Sequence, residues 1–157
     1  MIRLLVEKEM PNHCYNFIEV LHHDDPTIIK RLKECLEREE PVFFEEFVPC
    51  PDCVDRISYW GTKWDVYDVV IEEFSENSMS LTFNTAWAPP TGAYQKLKEM
   101  GFTIRALFVE PGTDFCGYWH DGKDIVYENV RENLADVPEE FHEYFIEDES
   151  EEEDEVS

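Results

Sequence analysis

The chain has 157 residues, 37 acidic against 13 basic, for a formal charge of −24, while 43% are hydrophobic and 14% aromatic. That length suits one domain with a sizeable core, and that apolar share excludes a disordered chain despite the charge. The acid excess excludes direct grip on nucleic-acid phosphates and on anionic membranes, and it favours basic proteins as partners.

The apolar run at Leu4-Leu5-Val6 falls far short of the ~20 residues of a membrane span and of a signal-peptide core, so a cytoplasmic location is expected. Five cysteines (Cys14, Cys35, Cys50, Cys53, Cys116) are an odd number in a core-sized chain, which argues for reduced thiols rather than a disulfide scaffold. Residues 147–157 carry eight acids and no base, leaving −16 for residues 1–146. Such a run cannot bury a core, so a single domain over 1–146 and a disordered acidic tail over 147–157 are expected.

In chain order, residues 12–21 alternate imperfectly and are rich in Tyr, Phe, Ile and Val, which predicts a strand covered on both sides. Asp25 before Pro26 is a helix-start signal, and Ile28, Ile29, Leu32, Cys35 and Leu36 repeat on one helical face, with Pro41 as the expected stop. Residues 42–48 read as a short extended segment. Tyr67, Val69 and Ile71 alternate with Asp68, Val70 and Glu72, and after the turn residues 75–78 the set Met79, Leu81, Phe83, Thr85 and Trp87 alternates with Ser80, Thr82, Asn84 and Ala86. This predicts a hairpin with one apolar and one wet face. Pro89-Pro90 opens a second helix with Ala93, Tyr94 and Leu97 inward and Gly101 at its end. Strands follow over 102–109, 114–119 and 125–127, with Asp121-Gly122 as a tight turn. Asp136 and Pro138 then predict a last short helix with Glu139 and Glu140 at its positive end and a Phe141, Tyr144, Phe145 stripe. The sum is an α+β fold of ferredoxin-like plan: a mostly antiparallel sheet, two helices on one face, extra C-terminal strands and a short C-terminal helix.

Three stretches carry a family resemblance. Met10-Pro11-Asn12-His13-Cys14-Tyr15-Asn16, Trp60-Gly61-Thr62-Lys63-Trp64-Asp65 and Phe83-Asn84-Thr85-Ala86-Trp87-Ala88-Pro89-Pro90, followed by Glu110-Pro111-Gly112 and Phe115-Cys116-Gly117, are similar in order and spacing to the YubB-type ferredoxin-like proteins of phages and plasmids. The likeness covers about residues 10–120. It implies a ferredoxin-like domain from a mobile element, and it brings no activity with it. Residues 1–9, the paired cysteines near Pro51 and the acidic C-terminus depart from the family pattern.

Several motifs bear on chemistry. Cys50-Pro51-Asp52-Cys53 has the spacing of half a zinc site, but no second pair accompanies it, so these cysteines are weak metal candidates and no metal or cofactor is expected. His22-His23-Asp24-Asp25 reads as a helix-capping turn. Neither a nucleophile elbow nor a P-loop nor a dinucleotide fingerprint occurs. The stretch from Trp60 to Asp65 admits two readings: a polar-aromatic pocket with Trp87 and Trp119 nearby, or core and seam tryptophans bonded to backbone carbonyls, with Lys63 paired to Asp65 or a helix end and Gly61 in a turn. Asn12, Asn16, Thr85, Pro89, Pro90, Glu110 and Gly112 are the other motif positions, with Glu110 to Gly112 read as a turn. An exposed aromatic sheet face suggests RNA binding, but Asp68, Glu72, Ser80, Thr82 and Asn84 on the hairpin's wet side supply none of the cations it needs.

The function expected from the sequence is non-enzymatic. An acidic, DNA-mimicking surface would bind and inhibit a host protein with a basic nucleic-acid groove, such as a nuclease, a CRISPR or restriction factor or a polymerase. Asp68, Glu72, Glu139, Glu140 and Glu143 are the candidate contacts. The alternative is a module that binds or hydrolyses a small molecule or nucleotide signal in a pocket around Trp60 to Asp65.

Overall fold

A computed structural model describes residues 12–146, so the acidic tail expected over 147–157 and the extension over 1–9 lie outside the described residues. Its six strands, β1 (His13–His22), β2 (Tyr67–Phe74), β3 (Ser78–Ala86), β4 (Phe102–Glu110), β5 (Phe115–His120) and β6 (Lys123–Glu128), form one sheet in the order β2-β3-β1-β4-β5-β6. All neighbours are antiparallel. The first four strands have the ferredoxin-like arrangement, and the β5–β6 hairpin widens the sheet beyond β4. No helix among the described residues is long and apolar enough to cross a membrane.

Period-two patterning decides which side chains meet the helices. On β1, Cys14, Asn16, Ile18, Val20 and His22 are buried, and on β3 Met79, Leu81, Phe83 and Thr85 face the same way. Against them lie α1 (Pro26–Leu36), through Ile29, Leu32, Cys35 and Leu36, and α4 (Thr91–Glu99), through Ala93, Tyr94 and Leu97. The Asp25 carboxylate accepts from Thr27 N–H at 3.0 Å, with Pro26 opening the helix. Asp121 and Gly122 both take positive φ, the geometry that an Asp-Gly hairpin turn requires.

Three segments differ from the sequence reading. Helix α1 ends at Leu36, before Pro41, with Glu37 as its C-cap donating its N–H to Lys33 O at 3.0 Å. Residues 42–48 are not extended: they form the one-turn helix α2 (Phe44–Phe47), whose start is capped from elsewhere in the chain. The Asp65 carboxylate accepts from Phe43, Phe44 and Glu45 N–H at 3.0–3.2 Å and from Val66 N–H at 2.8 Å. An acid 20 residues downstream thus satisfies donors that an isolated turn would leave to water. The helix α3 (Arg56–Trp60), capped by Asp55 and closed by Gly61 at φ +93°, is an added element. There Gly61 is needed for its left-handed backbone.

The C-terminal segment also departs from the sequence reading. It forms three 3₁₀ turns, Val130–Glu132, Leu134–Asp136 and Glu139–Tyr144, rather than one α-helix. Asp136 ends the second turn, and no side chain caps the third. The predicted stripe holds: Phe141 and Phe145 are buried with Val109, Cys116, Val130 and Val137 in a second core. This layer lies on the side of the sheet opposite the helices, over β4–β6, and its Tyr144 ring reaches Phe17 of β1 at 5.7 Å. The sheet's far face is therefore half covered, and a strip over β2, β3 and β1 stays open.

Replacing Asp65 by Ala strands three helix-start donors at once, so the variant is expected to lose about 2 kcal/mol of stability and roughly 6 °C in Tm, with Asp65→Asn losing less; urea and thermal melts check this.

Candidate functional site

Motif residues singled out in the sequence come together at one end of the sheet, where β1 begins and β3 and β4 end. The Asn16 amide donates to Thr85 Oγ1 at 2.9 Å and to Cys14 O at 3.0 Å, and the Thr85 hydroxyl donates to Ala88 O at 2.7 Å. Thr62 ties its loop to β3 by donating to Ala86 O at 2.8 Å. Glu110 is fully buried, and its carboxylate accepts from Gly112 N–H and Thr113 N–H at 2.9 Å and from the Thr113 hydroxyl. A Cβ on Gly112 would stand 2.7 Å from Asn12 Cγ and 2.9 Å from Glu110 Oε1, so a larger residue there would have to displace the Asn12 and Glu110 side chains. Pro90 is buried at the start of α4, and the Pro89 carbonyl lies against Gly61. These motif residues join loops; Glu110 has the turn role read from its sequence context.

Trp87 is the exception. Its sequence alternation places it with the core set, yet it is 45% exposed, because the strand ends at Ala86. Ala88 N–H donates back to Ala86 O at 2.8 Å around a Trp87 with φ +71°, a tight three-residue turn that is strained for a bulky side chain. Trp87 N–H donates to Asn12 O at 2.9 Å, which holds the turn in place.

Beside this turn lies an open groove of about 590 Å³ lined by His13, Glu45, Arg56, Trp64, Asp65, Val66 and Tyr67. His13 Nδ1 and the Tyr67 hydroxyl are 2.6 Å apart, and burial, with Asp68 adding to it, pushes the Tyr67 hydroxyl up to about 12. Arg56 donates to Glu45 at 2.6 Å on the rim. Only part of the pocket predicted from Trp60 to Asp65 is present. Trp60 is fully buried and donates its indole N–H to Val48 O at 2.7 Å, while Trp119 packs on Tyr94 at 5.4 Å, on the helix side of the sheet. Lys63 does not pair with Asp65, whose oxygens are taken by backbone N–H groups; its ammonium lies 5.3 Å from the Trp64 ring centre. Sequence reasoning missed His13, Arg56, Glu45 and Tyr67 as groove residues. The signal for α3 was available in Asp55 and Gly61, a cap and a stop six residues apart.

On the open strip, Phe17 sits between Thr82 and Leu107, and Glu19 between Ser80 and Arg105. The β3 side chains there, Ser80, Thr82 and Asn84, offer no aromatic ring for a base to stack on. All five predicted contact acids are exposed, but they divide into two groups. Asp68, which accepts from the Asn84 amide at 3.1 Å, and Glu72 lie on β2 along one margin. Glu139, Glu140 and Glu143 lie on the covering layer along the other, with Glu140 accepting from the Tyr118 hydroxyl.

The paired cysteines have separate surroundings. The half-buried Cys50 thiol donates to Val54 O at 3.2 Å, while Cys53 is exposed. Among the described residues, no three His, Cys, Asp or Glu side chains gather as a metal-binding set. Cys14, Cys35 and Cys116 are buried, and burial raises all three thiols, Cys116 to about 11. Comparison with protein-family models, curated proteins and solved structures finds no match.

Two outcomes follow from this chemistry. Thiol labelling of the native chain should modify Cys53 fast and Cys50 more slowly, with Cys14, Cys35 and Cys116 reacting only on unfolding, as read by mass spectrometry. Burial raises the hydroxyls of Tyr67, Tyr94, Tyr118 and Tyr144, so the folded state holds their protons more tightly than the unfolded one. That stability is complete below about pH 10, the unfolded value, and is lost as pH rises through the folded values. Urea melts from pH 9 to 12 should show the decline, and Tyr67→Phe should make it shallower.

Proposed function

We propose that the protein acts without catalysis, by binding a basic nucleic-acid-binding protein of a host cell through an acidic surface that stands in for nucleic acid. The observation that carries this reading is the outer surface of the covering layer. Its turns carry Glu132, Asp136, Glu139, Glu140 and Glu143, all exposed, against Arg131 as the one Lys or Arg over residues 129–143. Arg131 is already spent on Asp114 at 3.1 Å and on Pro111 O at 2.9 Å. Duplex DNA offers a protein about one negative charge per 1.7 Å of axis, and a row of exposed carboxylates on one folded layer presents negative charge to a basic groove in the same way. Resemblance to the YubB-type proteins of phages and plasmids supports a mobile-element origin, in which a host nuclease, defence factor or polymerase is the natural target.

A nucleotide or other small anion in the groove is the weaker reading. The one cation in the lining, Arg56, is bridged to Glu45, so a phosphate there would meet the Glu45 and Asp65 carboxylates as well.

The test is capture from bacterial lysate on the immobilised full chain, compared with an Asp136→Asn, Glu139→Gln, Glu140→Gln, Glu143→Gln variant. A nucleic-acid-binding protein should be retained at low salt, displaced by duplex DNA or by 0.5 M salt, and held at least tenfold more weakly by the variant. Retention that ignores salt, DNA and the four substitutions would sink the reading.

A further inference from the structure

We infer that the free edge of β2 is a strand-addition site for an extended segment in which Lys or Arg alternates with apolar residues. The inference rests on the reading above, that the partner is basic, and names how part of that partner is held.

Four observations meet on this edge. First, β2 ends the strand order, so its outer backbone has no neighbouring strand among the described residues, over eight residues from Tyr67 to Phe74. An extended chain laid beside it gains main-chain hydrogen bonds whatever its sequence, and side-chain pockets then set the choice. Second, such pockets flank the edge. The Trp64, Val66 and Tyr67 groove opens where β2 begins, and a cleft of about 570 Å³ between Leu36, Glu37, Arg38 and Pro41 on one side and Val69 and Ile71 on the other runs along its helix side, apolar along the strand and charged on its outer wall. Third, Val70 and Phe74 are 52% and 45% exposed, so apolar surface on the strand awaits cover.

The fourth observation selects the occupant. Residues 64–95 contain Asp65, Asp68, Glu72, Glu73 and Glu76 and neither Lys nor Arg. Of these, Asp68, Glu72, Glu73 and Glu76 are exposed on β2 and its turn. A second copy of this chain paired edge to edge would set those carboxylates against each other, which disfavours self-pairing. A strand with a Lys or Arg at every second residue turns the same carboxylates into cross-strand ion pairs, and its apolar residues face the cleft along Val69 and Ile71. The pairing of β2 with β3 is irregular between Tyr67 and Val70 and between Ile71 and Glu73. These bulges twist the edge, so a short added strand of four to six residues fits better than a long one.

The probe is a synthetic peptide, Tyr-Lys-Val-Lys-Val-Lys-Val, titrated into the full chain and followed by amide chemical shifts at low salt. Shifts should concentrate on residues 64–74 and 36–41. The same peptide N-methylated at alternate amides keeps its charge but loses its hydrogen-bonding edge, and it should bind at least tenfold more weakly. A Glu72→Lys, Glu73→Lys variant, altered only at exposed positions, should weaken the unmodified peptide similarly while its near-UV spectrum stays native. Equal affinity for both peptides, or shifts centred on residues 128–146, would overturn the inference by assigning the binding to charge alone. The two proposals separate: a lysate partner lost by the four-amide layer variant but kept by Glu72→Lys, Glu73→Lys overturns strand addition and leaves the acidic-surface reading standing. Peptide binding as described with no nucleic-acid-binding protein captured leaves the edge site standing and removes that reading.

Discussion

One carboxylate organises the end of the molecule on which the groove depends. Asp65 collects the N–H groups of Phe43, Phe44, Glu45 and Val66, and so joins the loop after α1 to the start of β2. An ionised acceptor with several backbone donors is among the stronger bonds a fold can make. It also fixes Phe43, Phe44 and Phe47, all buried, against Trp60 and Phe83: the Phe44 ring lies 5.6 Å from Trp60 and 6.5 Å from Phe83. With this arrangement in place, Glu45 and Arg56 meet on the rim and Trp64, Val66 and Tyr67 form the floor.

The second constraint is the uneven cover of the sheet. Helices α1 and α4, with Phe44, Phe47 and Trp60 of α2 and α3, cover the central strands on one face, while the 3₁₀ layer takes only the β4–β6 half of the other. The uncovered strip is mixed in character, with Tyr15, Glu19, Ser80, Thr82 and Asn84 and with Phe17 at the edge of the covering layer, and it lies between two acidic margins. A molecule of this charge keeps its body folded because the acids are spread over exposed positions; the buried Glu110 is supplied with three donors. Repulsion among the exposed acids is the cost of such a surface, and the proposed basic partner would relieve it.

Much of the fold was legible in the sequence because its signals are local. Asp25-Pro26 marks a helix start, Asp121-Gly122 a tight turn, and the alternation over 67–85 a hairpin, each through chemistry within a few residues. Three of the failures share one cause. Residues 42–48 look extended in isolation, and a cap from Asp65 makes them helical. Trp87 follows the alternation in sequence, yet its turn is held from outside by Asn12. The last segment has the right apolar stripe, but tertiary packing on Tyr118 and Phe17 settles it as 3₁₀ turns. The candidate site was less legible than the fold, since His13, Glu45, Arg56 and Tyr67 come from four separate segments.

The sequence by itself determined the α+β class, the strand and helix faces and the acidic character, because side-chain periodicity and net charge are properties of the chain alone. Only the tertiary structure decided which acids line which margin, which tryptophan faces solvent and where the sheet stays open. Those depend on contacts between residues far apart in the chain, and no local pattern encodes the distance at which they meet.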